Sequence, residues 1–134
     1  MDQVVGAWTR TTIFEEFNGV KKDTSGPGVI GALILDRSGR YSYHITADGR
    51  PKAGGDPSRG PVGRTIGYFG IYTIRDADKS VTFAIERATF PGWDGTEQKR
   101  IITISADAMR FRAATPLPSP DGPFIPIIDW VRVK

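Results

Sequence analysis

The chain has 134 residues, of which 39% are hydrophobic and 25% charged, with 16 glycines and 10 prolines; this turn-rich globular composition favours strands over helices. It contains no cysteine, which excludes disulfides, thiolate catalysis and metal sites built on cysteine. The formal net charge of +3 comes from 18 basic and 15 acidic residues scattered along the chain. Nucleic-acid binding requires basic groups gathered on one face, so we expect no nucleic-acid partner.

The N-terminal sequence MDQVVGAWTR has no apolar stretch of signal-peptide length. No other run approaches the roughly 20 apolar residues that a membrane-spanning helix needs. We therefore expect a single domain over residues 1–134 that resides in the cytoplasm, away from membranes, as a monomer or homodimer.

Eight segments carry strand patterns, because they are rich in β-branched and aromatic residues and are separated by clusters of Gly, Pro, Asn, Asp and Ser. In chain order the predicted strands are Ala7–Phe17, Val29–Leu35, Tyr41–Thr46, Gly67–Ile74, Val81–Thr89, Glu97–Ile104, Met109–Ala114 and Ile128–Val133. The sequence predicts no helix of ten or more residues and contains no internal repeat.

The first predicted strand has no cleanly apolar face. Trp8 and Phe14 lie on one face, whereas Ile13 and Phe17 lie on the other. A residue inserted into one strand changes which face its later side chains occupy. The pattern therefore predicts a β-bulge or strong bend near Thr11–Thr12.

The segment 47–64 holds three prolines and five glycines and has almost no residue that could anchor a core. Structureless connections longer than about 12 to 15 residues are uncommon and are often functional. We interpret this segment as a long Gly/Pro-rich loop, mobile or acting as a lid.

Eight strands in sequential antiparallel order can close into an all-β up-and-down barrel, whose interior is just wide enough for one small ligand. The alternative is a two-sheet sandwich, which would require longer crossover connections. The short turns favour the barrel.

Four motifs carry a resemblance to a known family: Gly6-x-Trp8, Tyr68-Phe69-Gly70-x-Tyr72, the segment Phe90–Arg100 (FPGWDGTEQKR) and Trp130-x-Arg132. Together they resemble the lipocalin-like domain family of small bacterial and fungal proteins. The resemblance implies an eight-stranded calycin-type barrel with an internal pocket. It also implies structural roles for Trp8, which would close one end of the barrel, and for Arg132, which would lie across the Trp8 ring. The alternative is that Trp8 is an ordinary core residue and Arg132 a solvated one.

The candidate catalytic residues are His44, Tyr72 and Arg100. His44 is the only histidine and stands on the more polar face of its strand, either outside the barrel or inside it beside Glu86 as a base and its orienting partner. A Gly-x-Ser-x-Gly elbow, a phosphate-binding P-loop and a dinucleotide fingerprint are all absent. We expect neither a metal nor a cofactor.

Aromatic rings and inward-facing arginines are the stronger signal for a binding site. Rings offer flat apolar surfaces, and the guanidinium fork binds oxyanions through charge-assisted bonds. Arg87 shares a face with Phe83 and could reach the pocket, or could pair with a glutamate for stability. The candidate ligand-binding residues are Tyr43, Tyr72, Phe83, Arg87, Trp93, Arg100 and Phe111.

These residues support two functions of different classes. The first is binding of a small hydrophobic or aromatic molecule, polyketide-like or fatty-acid-like. The alternative is a cofactor-free isomerase or cyclase of a biosynthetic pathway that uses the same pocket. A fully packed interior would instead indicate a structural or protein-binding barrel.

The connection that begins at Phe90 has more bulk than a hairpin needs. Asp94-Gly95 alone is a strong turn signal. On a barrel this connection lies at a rim, so the additional residues Phe90, Pro91 and Trp93 are interpreted either as a plug or as the border of a ligand entrance.

Overall fold

The structure is a computed structural model that describes residues 2–23, 30–46, 65–118 and 120–133; the predicted loop 47–64 lies outside the described residues. Nine strands are present: β1 (Gly6–Phe17), β2 (Val20–Asp23), β3 (Ile30–Leu35), β4 (Arg40–Thr46), β5 (Thr65–Arg75), β6 (Ser80–Ala88), β7 (Glu97–Ser105), β8 (Ala108–Ala113) and β9 (Ile125–Arg132). The described residues also include two short 3-10 helices, Asp2–Val4 before β1 and Pro91–Trp93 between β6 and β7.

Strands β1 and β3 to β9 form a closed antiparallel barrel. Each pairs with the next in sequence, and β9 returns to pair with β1, where Trp8 lies opposite Arg132. The prediction of an eight-stranded up-and-down barrel is confirmed, and the sandwich alternative is wrong. In the described part of the chain, no helix has the length and apolarity required to cross a membrane.

The ninth strand, β2, was not predicted. It pairs with the far half of β1 through a hairpin at Asn18-Gly19, where both residues have positive φ (48° and 82°). An Asn-Gly pair in this conformation is the favoured two-residue hairpin turn.

Strand β1 contains the predicted bulge, since its register with β9 shifts between Arg10 and Thr12. Before the shift Trp8 and Arg10 are buried, and after it Ile13 packs against the core. The bulge near Thr11–Thr12 is thus confirmed. It changes which alternate residues face the core, so that Trp8 before it and Ile13 after it both point inward.

A second bulge, in β6, moves Arg87 to the outside of the barrel. Gly70 of β5 lies opposite Ile85, but its neighbour Phe69 lies opposite Arg87, so Glu86 is the extra residue. Ile85 is buried, whereas Arg87 is exposed beside the outward-facing Phe69. The expectation that Arg87 points into the pocket is therefore wrong, because the bulge ends the alternation on which it depended.

The two ends of the barrel differ. At one end, called here the closed end, the turns at residues 36–39, 76–79 and 106–107 surround the N-terminal 3-10 helix, and Val4 is fully buried there beside Trp8. The Trp8 indole Nε1 donates to the Val4 carbonyl at 2.9 Å. At the opposite end, called the open end, lie the β6–β7 connection and the segments 114–118 and 120–124.

Candidate functional site

The β6–β7 connection brings Trp93 against the barrel interior at the open end. The short 3-10 helix is closed by backbone bonds from Trp93 to the Phe90 carbonyl and from Asp94 to the Pro91 carbonyl. The Asp94 carboxylate accepts from the Ala88 amide at 2.7 Å, which ties the turn back to β6. This framework holds Trp93 half-buried, while Phe90 stacks on it from outside, with ring centroids 5.6 Å apart.

Below Trp93, six buried rings form a closed series of contacts around the interior. Successive centroids, from Tyr68 through Tyr43, Trp130, Phe111, Phe83 and Tyr41 and back to Tyr68, are separated by 4.6 to 6.0 Å. We call these six residues the aromatic cluster. Trp93 meets it edge-on at Tyr68, 5.8 Å between centroids. The cluster fills the middle of the barrel and forms a floor under the open end.

Arg100 lies on the inner face of β7, between Gln98 and Ile102. It is paired across the sheet with Val81 on one side and Ala113 on the other. Its Nη2 donates to the Gln98 side-chain oxygen at 2.6 Å and its Nη1 to the Lys99 carbonyl at 3.1 Å. Both acceptors are neutral oxygens, so neither bond offsets the positive charge of the guanidinium at the open end.

A groove of about 320 Å³ lies beside Arg100 at the open end. Trp93 borders it on one side and Leu117 on the other, with Gln98, Arg100 and Ala113 among its lining residues. Its volume falls at the lower limit of small-molecule sites. The ring of Trp93, the alanines and Leu117 give it apolar surface, and its polar lining residues include the charged pair Glu97 and Lys99.

The hydroxyls of Tyr43 and Tyr68 remain protonated at neutral pH. Burial raises the pKa of Tyr43 well above its ordinary value, and the neighbouring Tyr68 adds to this, while the cations Arg100 and Arg10 act in the opposite direction. Burial likewise raises the pKa of Tyr68 to about 12, again against the effect of Arg100. Both tyrosines are therefore hydrogen-bond donors on the floor of the open end.

Arg10 is a site residue that the sequence interpretation missed. It is buried (6% exposed) and lies on the inner face of β1, opposite Trp130 of β9. Gly31 makes room for it, since a Cβ there would lie 2.9 Å from the Arg10 Cβ. The signal was present in the sequence, because Trp8 and Arg10 are two positions apart and so share one face of the strand before the bulge.

The three candidate catalytic residues are not brought together. His44 is exposed on the outer wall, where its Nε2 lies 2.9 Å from the Ser42 hydroxyl. Tyr72 donates to the Asp36 carbonyl at 2.6 Å at the closed end. Arg100 alone faces the open end.

The suggested pairing of His44 with Glu86 is wrong. Glu86 lies on the outer wall and accepts two bonds from Arg40, at 2.6 and 3.0 Å. Each of the two residues thus has a different partner outside the barrel, and neither belongs to an interior acid–base pair.

The candidate binding residues divide by position. Tyr43, Trp93 and Arg100 meet at the open end or its floor. Phe83 and Phe111 lie deeper in the aromatic cluster, and Arg87 is outside. Among the described residues, no group of three or more His, Asp or Glu side chains is arranged to hold a metal ion.

Two comparisons with known proteins bear on the identity of the fold. A search of curated proteins found no match. A family model described as the lipocalin-like domain matches residues 5–122, which include strands β1 to β8. The match spans most of the chain and agrees with the closed barrel and with the motifs quoted above, so the chain belongs to the lipocalin-like domain family.

Proposed function

We propose that the protein binds one small, flat, mostly hydrophobic molecule, of polyketide-like or fatty-acid-like chemistry, at the open end of the barrel. Membership of the lipocalin-like family suggests hydrophobic ligand binding in general. The observation that carries the finer proposal is the groove that both Trp93 and Arg100 line.

The groove suits a ligand with an apolar body and one polar end. The Trp93 ring and the Leu117 side chain offer apolar surface at its border, and Leu117 is 37% exposed. Covering such surface is favourable by about 25 cal/mol per Å². Arg100 and Gln98 supply polar atoms on the inner face of β7, which would fix the orientation of the ligand.

The closed aromatic cluster limits how far the ligand enters. Its six residues are at most 5% exposed, so they fill the middle of the barrel. The ligand would lie on Tyr43 and Tyr68 and under Trp93, without passing through to Trp8. This placement favours a short or flat molecule over a long chain that threads the barrel.

The isomerase or cyclase alternative lacks an observation in its favour. It required an acid–base group beside the pocket, but His44 lies outside the barrel and the Tyr72 hydroxyl is bound to a closed-end carbonyl. We therefore propose ligand binding and not isomerase or cyclase activity.

Titration with N-phenyl-1-naphthylamine, a neutral dye whose fluorescence rises in apolar surroundings, tests the proposal. We expect a saturable rise with one dye per chain. Leu117→Asp, which places a charge at the groove, should weaken binding about tenfold or more. Val133→Asp is the matched control, because Val133 is also exposed but follows the end of β9 and does not line the groove.

A wild-type protein that gives no saturable signal would show that the proposal is wrong, as would equal binding by the two aspartate variants. Native mass spectrometry of protein taken from its own cell would then identify the molecule that it carries. We further propose that binding occurs in the cytoplasm, in a monomer or homodimer without cofactor or nucleic acid. Size-exclusion chromatography with light scattering checks the oligomeric state.

A further inference from the structure

The indole N–H of Trp130 is a buried donor that has no acceptor among the described residues. Trp130 is 1% exposed and belongs to the aromatic cluster, with its ring edge-on to Tyr43 at 5.5 Å. Trp8, which is equally buried, donates its own N–H to the Val4 carbonyl. Buried polar groups nearly always have a partner in folded proteins, so the Trp130 N–H points to an acceptor that the described residues do not supply.

Arg100 differs from the arginines that pair with carboxylates. Arg40 binds Glu86, Arg110 binds Asp129, Arg112 binds Glu16 and Arg132 lies beside Asp107. The bonds of Arg100 go to the neutral oxygens of Gln98 and Lys99. Its charge therefore stays available to an anion that enters the groove.

Other donors converge on the same level of the barrel. Tyr43 stacks on Tyr68 with ring centroids 4.6 Å apart, and its ring lies edge-on to that of Trp130 at 5.5 Å. The Arg100 cation also acts to lower the pKa of both tyrosines, against the effect of burial, and the Arg10 cation acts in the same way on Tyr43. Arg10 is paired across the sheet with Trp130. The set comes from five strands, β1, β4, β5, β7 and β9, and consists of two cations and three neutral donors.

We propose that Arg100, Tyr43, Tyr68 and Trp130 form a subsite for an oxyanion, such as a carboxylate, enolate or sulfonate, on the ligand of the open end, with Arg10 adding positive charge beside it. The inference rests on the proposed binding function and gives the ligand an acidic end. Such an anion would accept the Trp130 N–H and bind the guanidinium through charge-assisted bonds.

Two dyes with the same aromatic skeleton test the subsite. N-Phenyl-1-naphthylamine is neutral, and 8-anilinonaphthalene-1-sulfonate adds one sulfonate. We expect the sulfonate dye to bind more tightly to the wild type, and Arg100→Gln to weaken it about tenfold or more while changing the neutral dye less than twofold. Arg37→Gln, which removes one charge from an exposed turn at the closed end, should leave both dyes unchanged and controls for net charge.

The outcomes separate the inference from the function on which it rests. If both dyes bind equally and Arg100→Gln changes neither, the oxyanion subsite is wrong while the binding function stands. If neither dye binds, the binding function fails and the subsite fails with it. If Arg37→Gln weakens the sulfonate dye as much as Arg100→Gln does, the effect is general electrostatics and the subsite is again wrong.

The Trp130 N–H gives a second readout that does not depend on affinity. The three tryptophans should give three indole signals in a ¹H–¹⁵N correlation spectrum, and Trp130→Phe assigns one of them. The sulfonate dye should move the Trp130 signal downfield as a hydrogen bond forms, whereas the neutral dye should produce no downfield shift of that signal. A Trp130 signal that responds identically to the two dyes would overturn the inference.

Discussion

Arg132 lies over the indole of Trp8 at the closed end, with its guanidinium carbon 4.3 Å from the ring centroid. The two residues face each other across the β1–β9 pair that closes the barrel. Arg132 also donates to the backbone carbonyls of Val5 and Gln3, and so binds the segment that precedes β1. Arg132 thus lies across the Trp8 ring, and its one side chain joins the N-terminal segment, the first strand and the last strand.

Replacing Arg132 by methionine should destabilise the fold by about 2 to 3 kcal/mol, because it removes a cation–π contact and hydrogen bonds from a charged donor while keeping an apolar stem. Urea unfolding followed by tryptophan fluorescence measures the change. Arg37→Met, in an exposed turn, should alter the free energy of unfolding by less than about 0.5 kcal/mol. Equal effects of the two substitutions would show that Arg132 is only a solvated end.

Gly70 should tolerate no side chain. A Cβ at this position would lie 1.9 Å from the Ala84 carbonyl oxygen across the β5–β6 bulge. Because the obstacle is backbone, we expect Gly70→Ala to cost more than about 3 kcal/mol or to prevent folding, well above the usual cost of a point substitution. Circular dichroism and urea unfolding of the purified variant measure it.

Gly39→Ala is the matched control for Gly70→Ala. Gly39 has a φ of +94°, but a Cβ there would meet nothing within 4 Å. Its cost should stay near the 1 to 2 kcal/mol of an alanine in left-handed backbone. If Gly70→Ala proves milder than Gly39→Ala, the close approach of β5 and β6 at the bulge is wrong.

Sequence alternation predicted eight of the nine described strands and the first bulge, because each depends on local patterns, and the short turns predicted the order of those eight strands. The change of face between Trp8 and Ile13 is visible within β1 itself. The bulge in β6 is different, since it arises where Gly70 of another strand approaches, and nothing around Arg87 indicates it. A pattern within one strand could therefore not place that side chain.

The sequence predicted only those parts of the site that depend on local patterns. Trp93 and Arg100 belong to the unusual segment Phe90–Arg100, and both border the groove. Arg10 and Trp130 were missed as a pair because they are distant in sequence and meet only where the barrel closes. Which donors converge inside a barrel depends on register, and the register of β1 with β9 is a long-range property.

Stability should fall as pH drops from about 4.5 to 2. A hydrogen bond from Arg110, aided by one from Thr12, holds the pKa of Asp129 below its ordinary 3.8, and bonds from Lys99 and Ser80 lower that of Asp78 to about 2. Carboxyls with depressed pKa values bind protons more readily in the unfolded chain, so their contribution is present above the unfolded pKa and is lost as pH falls through the folded pKa.

Thermal melts at pH 7, 4.5, 3.5 and 2.5 check this acid sensitivity. The Asp129→Asn variant should start from a lower melting temperature at pH 7 and lose less on acidification, because it lacks one of the titrating carboxylates. Asp121→Asn is the control, as an exposed carboxylate in the segment 120–124. A melting temperature that stays constant between pH 4.5 and 2.5 would contradict the prediction.

Trp93 should contribute more to ligand binding, as the border of the ligand entrance, than to stability, as a plug of the barrel end. It is half-buried and contacts the aromatic cluster through Tyr68 alone, so Trp93→Ala should cost about 1 to 2 kcal/mol, less than the 3 to 5 kcal/mol of a fully buried tryptophan. Because the ring borders the groove, the same change should weaken binding of the neutral dye at least fivefold. Trp93→Phe should restore most of the binding, since it restores a ring.

Phe90→Ala is the matched control, because Phe90 is 54% exposed and stacks on the outside of Trp93. A loss of 3 kcal/mol or more with dye binding unchanged would identify Trp93 as a plug that holds the barrel end together.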